Sequence, residues 1–126
     1  MPVVGMNHFT VLAGDLEATK DFYLGIMGLV EGYRPNFGFP GAWLYAGDAA
    51  VLHIVAGRAL PSDPRGVLDH IAFSATDLPG VVRRLQARRI PYDLGRLQDS
   101  GVWQLFCFDP NGARVELDFA ADEPAP

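Results

Sequence analysis

Apolar residues in the first half of the chain alternate with polar ones in some segments and recur at helical spacing in another. Residues 4–12 alternate and predict a strand. A helical stripe follows, and Asp15 is placed to cap its first turn. The stripe consists of Leu16, Thr19, Phe22, Tyr23 and Ile26. Shorter apolar segments predict strands near 30–34, 42–46 and 51–55, so the order is strand, helix and three strands.

The second half repeats that order. Asp77 and Pro79 begin a second helical stripe, and the sequence Asp109-Pro110-Asn111-Gly112 is a strong turn signal. Strands are predicted at 68–75, 92–97, 102–108 and 113–119. We therefore predict one α+β domain over residues 1–126. Two βαβββ modules, 3–56 and 67–120, are joined by a linker at 57–66. The tail at 120–126 is expected to fray.

Matched residues support the repeat. His8 and His70 stand 62 residues apart, as do Asp15 and Asp77. Near the end of each half, His53 and Glu116 stand 63 apart, and each follows a turn. The agreement in order and spacing indicates that the two halves have the same structure.

Charge and composition exclude several classes of function. The net charge is −5 and no basic cluster stands apart from a helical pattern, which argues against nucleic acid or an anionic membrane as partner. The single cysteine, Cys107, cannot form an internal disulfide. No cleavable signal and no apolar stretch of membrane-spanning length are found, so a cytoplasmic protein is expected.

The three histidines of the chain and one glutamate stand out because all four fall on matched strand positions. Imidazole nitrogen and carboxylate oxygen are donors for iron, manganese, nickel and zinc. Because strand side chains alternate, Glu116 points away from the face of Val115 and Leu117. A single strand histidine is usually structural, but the joint pattern predicts a metal site made by His8, His53, His70 and Glu116.

The paired modules resemble the vicinal oxygen chelate superfamily of glyoxalases, bleomycin-resistance proteins and extradiol dioxygenases, from about Val4 to Phe119. His8, His70 and Glu116 match the family's ligands on the first, fifth and last strands. The resemblance implies a mixed sheet curved around a divalent metal and a small-molecule substrate with adjacent oxygens. It also implies a homodimer. Whether the four residues meet within one chain or across the dimer stays open.

His53 bears on the reaction. Glyoxalase I has a metal-binding glutamate at this position, whereas extradiol dioxygenases place an acid/base histidine near it. The resemblance therefore favours a non-haem dioxygenase, an oxidoreductase with Fe²⁺ or Mn²⁺, in which His53 and Glu116 are catalytic. Phe106 departs from that family's tyrosine, and residues 97–99 lack its further histidine.

Two alternatives remain open. A Lewis-acid lyase, isomerase or epimerase would use Ni²⁺, Co²⁺ or Zn²⁺ and could take His53 as a fourth ligand. A non-catalytic protein of the resistance type would only bind a small molecule. In each case, Phe39, Trp43 and Phe106 are candidates for the substrate pocket, although packing is the favoured explanation for Trp43, as for most strand aromatics.

Overall fold

Two four-stranded mixed sheets, one from each half of the chain, form the frame of the computed structural model, which describes residues 2–126. The elements are β1 (Phe9–Ala13), α1 (Leu16–Gly25), β2 (Val30–Gly32), β3 (Gly41–Ala46), β4 (Ala49–Ala56), β5 (Ile71–Ala75), α2 (Leu78–Ala87), β6 (Tyr92–Arg96), β7 (Trp103–Phe108) and β8 (Arg114–Phe119). The strand orders are β1-β4-β3-β2 and β5-β8-β7-β6. In each sheet the first two strands are parallel and the others antiparallel. The predicted pair of βαβββ modules is confirmed.

Both helices begin at the predicted aspartates. The side chain of Asp15 accepts a hydrogen bond from Ala18 N, and Asp77 accepts one from Gly80 N. Each carboxylate satisfies a backbone N–H that has no partner within its helix. Asp77 adopts a left-handed conformation, with φ of 64°, which an aspartate tolerates better than most residues.

One face of each sheet is buried in a common core. Leu52 and Ile54 of β4 and Val115 and Leu117 of β8 are almost fully buried, and apolar residues of both helices join them in one cluster. His53, between Leu52 and Ile54, is only half-buried, whereas Glu116, between Val115 and Leu117, is buried as well. Burial alternates along β4 but not at 115–117 of β8. His53 and Glu116 nevertheless lie on the faces that point away from their apolar neighbours.

Side chains of α1 bind the turn between β7 and β8. The Tyr23 hydroxyl donates to Asp109 Oδ2 over 2.8 Å, and Asn111 Nδ2 donates to Thr19 Oγ1 over 2.9 Å. Arg84 Nε of α2 also donates to the carbonyl of Ile26 over 3.2 Å. These contacts fix one module against the other.

Three details differ from the sequence prediction. The first strand begins at Phe9 rather than at residue 4, and Val4 is 99% exposed. The fifth strand begins at Ile71, not at residue 68. The tail does not fray at 121–123, because Glu123 accepts from Asp77 N and Leu78 N, and Arg96 donates to the carbonyl of Ala121. Within residues 2–126, neither helix has the length and apolar character that crossing a membrane requires.

Candidate metal centre

The outward face of each sheet carries a pair of potential metal donors at equivalent positions. In the first module, His53 of β4 lies directly opposite Trp43 of β3. In the second, Glu116 of β8 lies directly opposite Phe106 of β7. His8 and His70 each stand one residue before a first strand, β1 or β5. Each module therefore places one aromatic ring, Trp43 or Phe106, beside its own donor pair.

His70 and Glu116 are the donor pair with more supporting hydrogen bonds. His70 Nε2 lies 3.1 Å from Glu116 Oε1. Glu116 is 6% exposed, and its Oε2 accepts from Gln104 Nε2 over 3.2 Å. On the other side of the imidazole, His70 Nδ1 lies 2.8 Å from Asp69 Oδ2. Both functional groups are thus oriented by a second polar side chain.

Arg114, the first residue of β8, contacts Asp69 and Phe106 beside this pair. Its guanidinium lies 3.0 Å from Asp69 Oδ2 and 4.3 Å from the centre of the Phe106 ring. The hydrogen bond from His70, and then that from Arg114, lower the pKa of the exposed Asp69 carboxyl. Asp69 therefore stays ionised, and its carboxylate can only accept from His70.

Asp118 is a second carboxyl group beside Glu116 that the sequence analysis missed. Burial, followed by a contact with the Glu116 carboxyl, raises its pKa to about 6. Its Oδ1 has no donor partner anywhere in the described part of the chain, and a proton held between the two carboxyl groups would supply one. Strand alternation was the available signal, because Asp118 shares a face of β8 with Glu116.

His8 and His53 are stacked. Their ring centres lie 3.7 Å apart at an interplanar angle of 13°, and Trp43 stacks on His53 at 4.0 Å and 12°. Because β1 and β3 flank β4 on opposite sides, the His53 ring lies between the other two. Burial, and then His8, lower the pKa of His53, and Arg34 also contributes. Stacking covers only the faces of the rings, and at the ring edge His8 Nδ1 lies 2.6 Å from Asn7 Oδ1.

The four predicted ligands form two pairs and not one group. Across residues 2–126, no three side chains of histidine, cysteine, aspartate or glutamate come close enough together to hold a metal ion. His8 and His53 belong to the first sheet, and His70 and Glu116 to the second. One chain therefore offers two half-sites.

The donor chemistry and spacing of the His70–Glu116 pair fit a divalent metal. Metal–nitrogen and metal–oxygen bonds of about 2.1 Å at right angles place neighbouring donor atoms about 3 Å apart, close to the separation of His70 Nε2 and Glu116 Oε1. The carboxylate behind His70 is the partner that metal-binding histidines usually have. A cleft of about 220 Å³ runs past His70 and Arg114 and along β1, so His70 is accessible.

The predicted pocket residues lie on or beside the same outward faces. Trp43 and Phe106 are half-buried next to the two pairs, while Phe39 is 38% exposed on the loop before β3. Phe106 packs edge-on to His70 at 5.8 Å. These rings flank the donors rather than fill the core.

Known proteins match the chain along nearly its whole length. The family model described as "Glyoxalase/Bleomycin resistance protein/Dioxygenase superfamily" matches residues 5–117. A protein from Arabidopsis thaliana, "Glyoxylase I 4", is 26% identical over 123 residues, which are 91% of this chain and 70% of the relative.

Two solved structures share the fold. A glyoxalase family protein from Bacillus anthracis superposes with a TM-score of 0.75 and 22% identity, over 94% of this chain and 96% of the other. Lactoylglutathione lyase from Agrobacterium tumefaciens gives a TM-score of 0.68 and 22% identity, over 96% and 97% of the two chains. At this identity they establish the architecture alone.

Proposed function

The chain belongs to the Glyoxalase/Bleomycin resistance protein/Dioxygenase superfamily, and on that premise we propose that it is a metal-dependent enzyme. Its substrate is a small molecule with two adjacent oxygen atoms. The observation that carries the proposal is the His70–Glu116 pair, with Asp69 and Gln104 behind it. A structural ion pair would need neither the donor spacing nor the matched pair on the other sheet.

We propose that each complete site is shared between two copies of the chain. His70 and Glu116 of one copy would meet His8 and His53 of the other. A two-fold dimer brings the same surfaces of both chains together, so pairing the first sheet of one copy with the second sheet of its partner would create two equal sites. The separation of the two pairs within one chain supports this arrangement.

The reaction we favour is that of a lyase, isomerase or epimerase. A bound divalent metal would act as a Lewis acid on the two substrate oxygens. Glu116 would take a proton from the neighbouring carbon, on the carboxylate oxygen that does not hold the metal, and return it. If His53 is also a ligand, four protein donors leave two positions, enough for two oxygens. The name of the Arabidopsis relative agrees.

A non-haem dioxygenase is the second candidate. It is favoured by the histidine at position 53, whose ring has its own packing between His8 and Trp43. If His53 is not a ligand, three protein donors leave a further position for oxygen. The substitution His53→Ala separates the candidates: a ligand role predicts weakened metal binding, and a purely acid/base role predicts unchanged metal affinity.

Metal content tests the proposal directly. Untagged protein purified without chelator is analysed for metals and then titrated with Mn²⁺, Fe²⁺, Co²⁺, Ni²⁺ and Zn²⁺ at neutral pH. We expect about one ion per chain and loss of binding in His70→Ala. If no ion binds, His70 only links Asp69 and Glu116 structurally, and the proposal fails.

Mixing two defective chains tests the shared site. His8→Ala and His70→Ala are unfolded together and refolded as a mixture. If sites are shared, each mixed dimer has one intact site, so the mixture regains about one quarter of the wild-type sites. If each site lies within one chain, no mixture regains any.

A further inference from the structure

A row of four rings extends from the first pair of donors to the surface. We call it the aromatic strip, and it consists of His53, Trp43, Phe37 and Phe39. Neighbouring ring centres are 4.0 Å apart between His53 and Trp43, 6.1 Å between Trp43 and Phe37, and 5.6 Å between Phe37 and Phe39. The strip thus connects a predicted metal donor to the loop between β2 and β3.

The outer end of the strip is exposed. Phe37 is 48% exposed and Phe39 is 38% exposed. Exposed phenylalanines that lie side by side form an apolar patch, and such patches commonly mark binding surfaces. Packing alone does not account for them, because a loop that only needed to be held would turn these rings inward.

Two arginines already occupy the cation positions around these rings. The Arg34 guanidinium carbon lies 5.0 Å from the centre of Phe37 and 5.1 Å from that of Phe39. Arg58, which is exposed, lies 5.9 Å from the centre of Phe39. Neither arginine forms an ion pair with any carboxylate of the described chain. A cationic ligand would be repelled here, although bare aromatic faces attract cations.

The arginines keep hydrogen-bond donors for an anion. A guanidinium has five N–H donors in a fork that matches a carboxylate. Arg34 uses one of them to hold the loop, from Nη2 to the carbonyl of Phe39 over 3.0 Å. Although the chain has a net charge of −5, this end of the strip is therefore locally positive and favours a bound anion.

From these contacts we propose that the aromatic strip binds the flat apolar part of the substrate and that Arg58, beside Arg34, binds a carboxylate at its far end. The substrate class is a flat aryl carboxylate. The inference rests on the proposed function only in assigning which end of the substrate reacts. The binding itself needs no metal.

Calorimetry on metal-free protein tests the strip. The probes are biphenyl-4-carboxylate and its uncharged analogue, biphenyl-4-carboxamide, titrated in the presence of chelator. We expect the carboxylate to bind at least about tenfold more tightly than the amide, corresponding to roughly 1.4 kcal/mol. Arg58→Ala should remove that preference, and Phe37→Ser should weaken both probes.

A second exposed pair provides matched controls. Arg65 lies 5.4 Å from the ring centre of Phe108, which is 44% exposed, and neither residue belongs to the strip. Arg65→Ala and Phe108→Ser should leave the affinity for the carboxylate unchanged. Metal titration of Phe37→Ser should match wild type, which separates loss of the strip from loss of the metal site.

Several results would overturn the strip as a binding surface. They are the absence of binding by either probe, equal binding of acid and amide, and equal effects of Arg58→Ala and Arg65→Ala. The same holds if Phe37→Ser changes only the monomer–dimer equilibrium, since the rings would then face a second copy. A chain that binds metal but no probe overturns this inference alone, and one that binds probe but no metal overturns the proposed function alone.

Discussion

Asp69 and Asn7 occupy the same position in the two halves, each directly before a predicted metal histidine. Asp69 Oδ2 lies 2.8 Å from His70 Nδ1, and Asn7 Oδ1 lies 2.6 Å from His8 Nδ1. An oxygen that only accepts requires the proton on Nδ1, which leaves Nε2 of each histidine for a metal. The residue before each histidine thus selects its tautomer.

Removing the Asp69 carboxylate should weaken metal binding without removing a ligand. For Asp69→Ala we expect the metal dissociation constant to rise by about 10- to 100-fold, the usual cost of losing such a partner. Calorimetric titration measures it. Asp99→Ala, an exposed carboxylate on the loop before β7, is the control and should bind metal like wild type. Equal affinities in the two variants would contradict this role of Asp69.

Tyr23 joins the modules through one buried hydrogen bond. Burial raises the pKa of its hydroxyl, so the group keeps its proton and donates to Asp109 Oδ2. Tyr23→Phe leaves that buried oxygen without a donor, and we expect the free energy of unfolding to fall by about 1–3 kcal/mol. Urea unfolding at fixed protein concentration measures the change.

Tyr92→Phe is the matched control for Tyr23. The Tyr92 hydroxyl accepts an exposed hydrogen bond from Gln86 over 3.3 Å, so its loss should change the free energy of unfolding by less than about 0.5 kcal/mol. If both variants lose the same stability, the bond to Asp109 does not hold the modules together.

At the scale of the elements, two carboxylates accept hydrogen bonds from backbone N–H groups at the N-terminus of α2. Asp77 caps the helix through Gly80 N, and Glu123 of the tail accepts from Asp77 N at 2.9 Å and Leu78 N at 3.0 Å. A negative charge at a helix N-terminus is also favoured by the helix dipole. The tail is therefore held to the second module.

Removing the tail carboxylate should destabilise this helix terminus. For Glu123→Ala we expect a loss of about 0.5–2 kcal/mol in the free energy of unfolding, as for other helix caps. Amide exchange at the first turn of α2 should quicken at the same time. Asp122→Ala alters a neighbouring exposed carboxylate and should change neither measurement; a similar loss there would show that tail charge alone matters.

Local signals predicted the elements well, and distant contacts explain the errors. The two helix caps and the hairpin turn depend only on residues close together in the sequence. All were predicted correctly, namely Asp15, Asp77 and the turn at 109–112. The expected fraying of the tail was wrong, because Glu123 meets α2 across 45 residues of chain. The first strand was predicted too early, since alternation at 4–8 cannot show that β4 pairs only from Phe9 onward.

The candidate site was predictable only as far as the repeat reaches. Equivalent positions identified His8, His53, His70 and Glu116. The supporting side chains Gln104 and Asp118 have no repeat signal, and only the pairing of β7 and β8 brings Gln104 beside Glu116 and Asp118. Their roles depend on register, which the order of residues in the sequence does not specify.

At the scale of the whole molecule, the important feature is that the two donor pairs lie on the outward faces of two different sheets. Each sheet buries one face in the common core and carries its donor pair on the other, where Glu116 alone of the four donors is buried. A metal that needs donors from both faces would have to bridge two chains. Binding of the metal and association of the chains would then be the same event.

That linkage predicts that metal shifts the monomer–dimer equilibrium. A ligand that binds only one state stabilises it by about 2.7 kcal/mol at 100 times its dissociation constant. We therefore expect sedimentation equilibrium to show a dimer dissociation constant at least about tenfold lower with Ni²⁺ or Co²⁺ than with chelator. In Glu116→Gln, which keeps the size of the side chain, the metal should have no such effect. A metal site within one chain would leave the dimer dissociation constant of the wild-type protein unchanged, and the half-sites would then close by a rearrangement of the modules.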